Sequence, residues 1–156
     1  MRRRLLADLQ PPVNDAHAAI SGARESLRLE YASGSGDDFA TVLAAARGED
    51  ARLRQTSVGP HRDDVHFLLN ELSSDFASEG QQRTLVLALK LGAARLLEQH
   101  FGAPPVLLLD DIFGELDLAR RSALLAALPT DSQRIITTTH LDWRSPEPEA
   151  QILRLE

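Results

Sequence analysis

Aliphatic positions along this chain follow two rhythms. The run Val106-Leu107-Leu108-Leu109, set between Pro105 and the acids Asp110-Asp111, is unbroken; such a run predicts a strand covered on both faces, as in parallel sheets between helices. Gln133-Arg134-Ile135-Ile136-Thr137-Thr138-Thr139 is mostly β-branched and predicts another strand, ending at His140. Elsewhere the period is two. Leu27, Leu29 and Tyr31 alternate with Arg28 and Glu30, and Val65, Phe67 and Leu69 alternate with His66, Leu68 and Asn70, the pattern of half-buried strands. Asn70-Glu71 is placed to turn a hairpin back through Leu72 towards Phe76, and Gln151 to Leu155 adds a last short strand.

A period near 3.6 marks the other segments. From Gln81 to about His100, Leu85, Leu89, Leu96 and Leu97, joined by Val86 and Ala93, form a broad apolar stripe that ends at Gly102 and Pro104-Pro105. Leu124, Leu125 and Leu128 mark a helix that starts at Asp117 or Leu118 and stops at Pro129. Asp37 or Asp38 caps a helix to about Arg47, resuming after Gly48 as far as Gln55. Pro11-Pro12 reads as a break, with a short helix from Asp15 to Ile20 beyond it. Strands alternating with helices imply an α/β layered fold with a mainly parallel sheet. There is no internal repeat, sustained heptad or low-complexity tract.

Length and charge narrow this picture. The 156 residues suit one domain. A net charge of −6 and a pI near 5.3 argue against a whole-surface electrostatic grip on nucleic acid. Arg2, Arg3, Arg4, Arg52, Arg54 and Arg62 could still form a local phosphate-binding strip, or be solvated faces only. The absence of cysteine suits a reducing compartment, read as the cytoplasm. No apolar run approaches the roughly 20 residues that span a bilayer, so no membrane is expected. Of the 17 basic residues only Lys90 is lysine.

Three stretches carry candidate chemistry. Asp110 and Asp111 emerge where ligands sit in parallel sheets, beyond the carboxyl ends of the strands. Two such acids suit Mg²⁺, or else one caps a helix and the other is solvated. Ser78-Glu79-Gly80 opens the helix at Gln81 with a hydroxyl cap and an unhindered amide. That is an anion site or an ordinary cap. His61-Arg62-Asp63-Asp64 is a dense charged cluster, equally an internal ion-pair network or a contact to DNA or nucleotide. His17, His66 and His100 read as structural or surface residues.

Ser78-Glu79-Gly80-Gln81-Gln82-Arg83, the strand into Asp110-Asp111, Gly114-Glu115-Leu116-Asp117 and the strand into His140 follow one another as in ATP-binding-cassette ATPases. With Gly59-Pro60-His61-Arg62-Asp63-Asp64 and Phe76-Ala77 added in front, the chain resembles the C-terminal motifs of one branch, the RecF family of DNA replication and repair proteins, over about residues 24 to 140. The resemblance implies a partial ABC-ATPase head. Residues 1–56 would be the remnant of a helical arm lobe and 57–156 the C-terminal half of the head.

By the same resemblance, Ser78, Gly80 and Gln81 form the signature motif that contacts the γ-phosphate of ATP held by a second RecF-type protomer. Asp110 is the Walker B acid for Mg²⁺, Asp111 polarises the attacking water, Asp117 is the D-loop acid at the dimer seam, and His140 is the switch histidine. The family implies ATP-dependent dimerisation, loading on single-stranded or gapped DNA, and cooperation with recombination mediator proteins. Three departures stand out. Glu79 puts an acid in the phosphate cradle, Gly114 stands where the D-loop usually carries Ser, and no G-x-x-x-x-G-K-[ST] loop is present. This polypeptide alone is therefore expected neither to bind ATP tightly nor to hydrolyse it. A truncated interaction module that pairs with an intact protomer is the alternative. A transporter ATPase subunit fits poorly, because Ile112 follows Asp111 where transporters place Glu and then Pro.

Overall fold

The structure is a computed structural model that describes residues 1–36, 38–113, 116–139 and 151–153. In chain order the elements are α1 (Arg2–Ser21), β1 (Leu27–Ala32), α2 (Phe39–Leu53), β2 (Asp64–Leu69), β3 (Leu72–Ser73), α3 (Glu79–Phe101), β4 (Leu107–Asp110), α4 (Leu118–Ala127) and β5 (Arg134–Thr137), with 3-10 turns at Pro60–Arg62 and Ser74–Phe76. Strands β1, β2 and β3 pair antiparallel in that order, and β4 pairs parallel with β5. Parallel pairing is thus confined to one pair of strands among the described residues.

Helix α1 runs unbroken through Pro11 and Pro12, where the sequence predicted a break. A proline costs about 3 kcal/mol in a free helix interior, and packing overrides that cost here. Pro12, Val13, Ala16, His17 and Ile20 are all buried. A Cβ added at Gly92 of α3 would lie 2.4 Å from Val13 Cγ2 and 2.8 Å from the Val13 backbone nitrogen. The two helices therefore meet almost backbone to backbone, which only a glycine permits. The same closeness rotates the predicted stripe on α3: its buried residues are Thr84, Leu85, Ala88, Leu91, Gly92 and Ala94, while Val86 and Leu97 are exposed.

The hairpin forms as predicted, with Leu69 facing Leu72 across a two-residue loop. Asn70 and Glu71 have φ of 49° and 66°, the left-handed pair that a tight hairpin turn requires. The returning strand stops at Ser73 rather than reaching Phe76. On the far side, Gln10 of α1 donates to the Leu27 carbonyl at 3.1 Å and accepts from the Leu29 amide at 2.7 Å, so a side chain covers part of the β1 edge.

Strand β4 departs from expectation. Leu107, Leu109 and Ile136 pack on the core, but Leu108 and its register partner Ile135 are 73% and 52% exposed, and Val106 before them is 53% exposed. The strand predicted to be covered on both faces is covered on one. Strand β5 ends at Thr137, short of the predicted end, and His140 lies outside the described residues. Of the expected last strand, residues 151–153 are irregular and the remainder lies outside the described residues.

Helix α2 is continuous through Gly48, capped by Asp38, and buries none of its residues. One apolar cluster joins the rest: Val13 and Ile20 of α1, Leu27, Leu69, Leu85 and Leu124, with Phe113 wholly buried just after β4.

Candidate functional site

Two helix tips and one strand end carry the predicted site residues. Ser78 caps α3 through a reciprocal pair of bonds: its Oγ accepts from the Gln81 N–H at 3.4 Å, and Gln81 Oε1 accepts from the Ser78 N–H at 2.8 Å. This is a capping box. It leaves the amides of Glu79 and Gly80 without partners inside the helix. Glu79 does not occupy that space. Its carboxylate, 78% exposed, is ion-paired 2.6 Å from Arg83 one turn along the helix, so the acid that departs from the family pattern is drawn away from the tip.

Gly80 meets a cation. A Cβ added there would lie 3.0 Å from Arg120 Nη1, so the guanidinium rests where any larger residue would intrude. Arg120 is held in turn by Asp117, the cap of α4, which accepts from the Arg120 amide at 2.8 Å and from Nη1 at 3.1 Å. A positive side chain beside a helix N-terminus opposes the helix dipole, and the Asp117 carboxylate offsets that. Arg120 was not singled out from the sequence; the i,i+3 spacing after Asp117 was the available signal.

At the end of β4, Asp110 and Asp111 are both exposed, and they are not equivalent. Asp111 has φ of 45°, a left-handed conformation that Asp tolerates better than most residues. Its amide donates to the Thr137 carbonyl at 3.1 Å and to the Thr137 hydroxyl at 3.3 Å. That hydroxyl donates to Asp110 Oδ1. Thr137 thus ties both acids to β5, and the parallel register that pairs Asp110 with Thr137 puts it there. The sequence reading missed it because the register could not be read from either strand alone.

The structure therefore gathers Ser78, Gly80, Gln81 and Asp117 through Arg120, and Asp110 with Asp111 through Thr137. No hydrogen bond or ion pair among the described residues joins these two groups. A cavity of about 360 Å³ is lined by Glu79, Gln82, Arg83, Val86, Ile112 and Leu116 among others, and by no residue of either group. No group of three or more His, Cys, Asp or Glu is assembled among the described residues.

The charged cluster at residues 61–64 works largely as an internal fastener. Asp63 accepts from the Tyr31 hydroxyl, from Arg2 Nη1 at 2.8 Å and from the Gly34 amide at 3.1 Å. The Tyr31 hydroxyl bond, above all, holds the Asp63 carboxyl below its ordinary range and pushes the phenol up. His61 Nε2 lies 2.9 Å from the Thr56 carbonyl. In the arginine strip, Arg2, Arg4 and Arg52 each face an acid, respectively Asp63, Asp8 and Glu49, while Arg54 and Arg62 are exposed.

No family model matches the chain. It is 45% identical to the DNA replication and repair protein RecF of Thermosynechococcus vestitus and 44% identical to that of Synechocystis sp., each match covering 99% of this chain and 44% of the relative. The chain thus spans less than half the length of these curated relatives. Among solved structures, the recombination mediator protein RecF-ATPrS in the RecFOR pathway matches with a TM-score of 0.77 at 31% identity, over 94% of this chain and 42% of that one. RecF-ATP of the same pathway matches with a TM-score of 0.73 at 32% identity. The SmcHead bound to the C-winged helix domain of ScpA, at 17% identity and a TM-score of 0.56, shares the fold. The α/β arrangement is a partial ABC-type ATPase head.

Proposed function

Since the chain belongs to the RecF family and carries a C-terminal portion of its head, we propose that it serves DNA replication and repair as part of a recombination mediator. In this reading the intact protein dimerises with ATP and loads on single-stranded or gapped DNA. It works in the cytoplasm with further recombination mediator proteins. No helix among the described residues is long and apolar enough to cross a membrane.

One observation carries the reading. The α3 tip is self-capped, clear of the Glu79 carboxylate, and has the Arg120 guanidinium against Gly80. Free amides, a helix dipole and a cation at one place favour a phosphate arriving from outside. Ser78, Gly80 and Gln81 then face the γ-phosphate of ATP held by a second protomer, with Asp117 at the seam. Asp110 holds Mg²⁺ and Asp111 orients the attacking water. His140 senses the γ-phosphate. The carboxylates fit the cation: Thr137 ties one oxygen of Asp110, and Mg²⁺ characteristically takes one or two carboxylates and completes its shell with water and phosphate oxygens. Residues 57–156 are assigned to the C-terminal half of the head. Residues 1–56 are assigned to the end of the arm lobe, with α1 and β1 docked on the head core and α2 standing clear of it.

A narrower role is favoured by the open face of β4 and β5 at Leu108 and Ile135. On that view this polypeptide is catalytically inert alone and lends its signature tip to an intact protomer. Mixing it with an intact RecF-type protomer should give an ATP-dependent heterodimer and altered ATP hydrolysis, both lost on Ser78→Arg. Micromolar ATP binding by the isolated chain, abolished by Asp110→Ala, would overturn the inert reading. The transporter alternative has no support in these similarities.

A further inference from the structure

Beneath the α3 tip lies a polar pair that the nucleotide reading leaves unused. The Gln81 amide is held at both ends: Oε1 takes the Ser78 N–H at 2.8 Å, and Nε2 donates to Glu25 Oε1 at 2.6 Å. Glu25 comes from the segment between α1 and β1, and its side chain is largely buried. Its other oxygen lies 3.7 Å from Nε2 of His17. That imidazole is 1% exposed, and Nε2 has no hydrogen-bond partner among the described residues. Burial pushes the His17 pKa down, with Glu25 opposing.

A carboxylate set against a buried imidazole is costly to desolvate. What it gains is a charge-assisted bond to one amide. That bond has a directional consequence. With Nε2 anchored on a carboxylate, only Oε1 can meet the Ser78 N–H. A reversed amide would bring donor against donor at the Ser78 N–H and oxygen against oxygen at Glu25.

Resting on the reading of the α3 tip as a phosphate-facing element, we propose that Glu25, backed by His17, is a positioning residue of the signature motif. It fixes the sense of the Gln81 amide, seals the Ser78 N–H, and so keeps the Ser78 hydroxyl and the Gly80 amide in a constant arrangement for the incoming phosphate.

The test compares Glu25→Met, which fills similar space without an acceptor, with Glu25→Gln, which restores an oxygen. Two readouts apply: hydrogen exchange at the Ser78 amide in this chain, and ATP-dependent association with an intact RecF-type protomer. Glu25→Met should speed Ser78 exchange about tenfold and weaken association about tenfold, the scale of one charge-assisted hydrogen bond. Glu25→Gln should recover most of both. Unchanged Ser78 exchange in Glu25→Met, or failure of Glu25→Gln to restore it, overturns the proposal. If the unaltered chain does not associate at all, the function reading falls instead, and the exchange arm still judges Glu25. Should Glu25→Met unfold, Gln81→Leu is the second variant. Ser78 exchange in folded Gln81→Leu as slow as in the unaltered chain would also sink the idea.

Discussion

The hydroxyl of Thr137 distinguishes two acids that the sequence presents as neighbours of equal standing. It grips Asp110 directly and reaches Asp111 only through the backbone, so one carboxylate is oriented and the other is left free to respond. Thr137→Val keeps the β-branched shape and removes that grip. Because the site is exposed, the urea midpoint should correspond to a loss of less than about 1 kcal/mol, while ATP turnover in the mixed assembly falls about tenfold without loss of the heterodimer. Equal losses in association and turnover would show that Thr137 acts on folding of the strand end instead. Arg120 gives a second residue-scale expectation. Its partly exposed pair with Asp117 contributes at most about 1 kcal/mol, so Arg120→Ala should leave the thermal midpoint nearly unmoved. ATP-dependent association should nevertheless weaken and become less sensitive to salt.

At the scale of elements, the crossing of α1 on α3 sets the tolerance of the core. Gly92→Ala places a methyl 2.4 Å from a side-chain carbon of Val13 and 2.8 Å from its backbone nitrogen. Overpacking of this kind costs about 1–3 kcal/mol, readable by chemical denaturation. Adding Val13→Ala should not rescue it, because the backbone contact remains. Much of the element plan was legible because its signals are local: Ser78 with Gln81, Asp117, Asp38 and the Asn70-Glu71 turn each fix an end within a few residues. The unbroken course of α1 was not legible. Its prolines speak locally against a helix, and the surface that overrides them belongs to α3, far along the chain. The acids and the capped α3 tip were likewise visible as motifs. Thr137, Arg120 and Glu25 were hidden, since each acts across a juxtaposition that only the fold creates. The run before Asp110 encodes a two-faced environment, of which the described residues supply one face.

For the molecule as a whole, His17 couples stability to pH. Its folded pKa is lowered from 6.5, first by burial and against the pull of Glu25, so the unfolded chain takes up the proton more readily. Stability is then complete above about pH 6.5 and is lost as the pH falls through the folded value. Urea midpoints should decline over that interval, and His17→Leu should flatten the decline. Asp63, held low chiefly by the Tyr31 hydroxyl, adds a separate loss in stronger acid: its contribution is present above its unfolded value of 3.8 and disappears as the pH drops through the folded one. A midpoint that rises on mild acidification would contradict the assignment for His17.

Gln10 shows what this arrangement forbids. By imitating a peptide unit against Leu27 and Leu29, its amide fills the lock that an invading extended segment would need. At the opposite margin Leu72–Ser73 pairs only with Leu68 and Leu69 of β2. Strand exchange or fibril growth across the β1 edge must therefore begin with α1 lifting off, which couples resistance to misassembly at that edge to the grip of one helix.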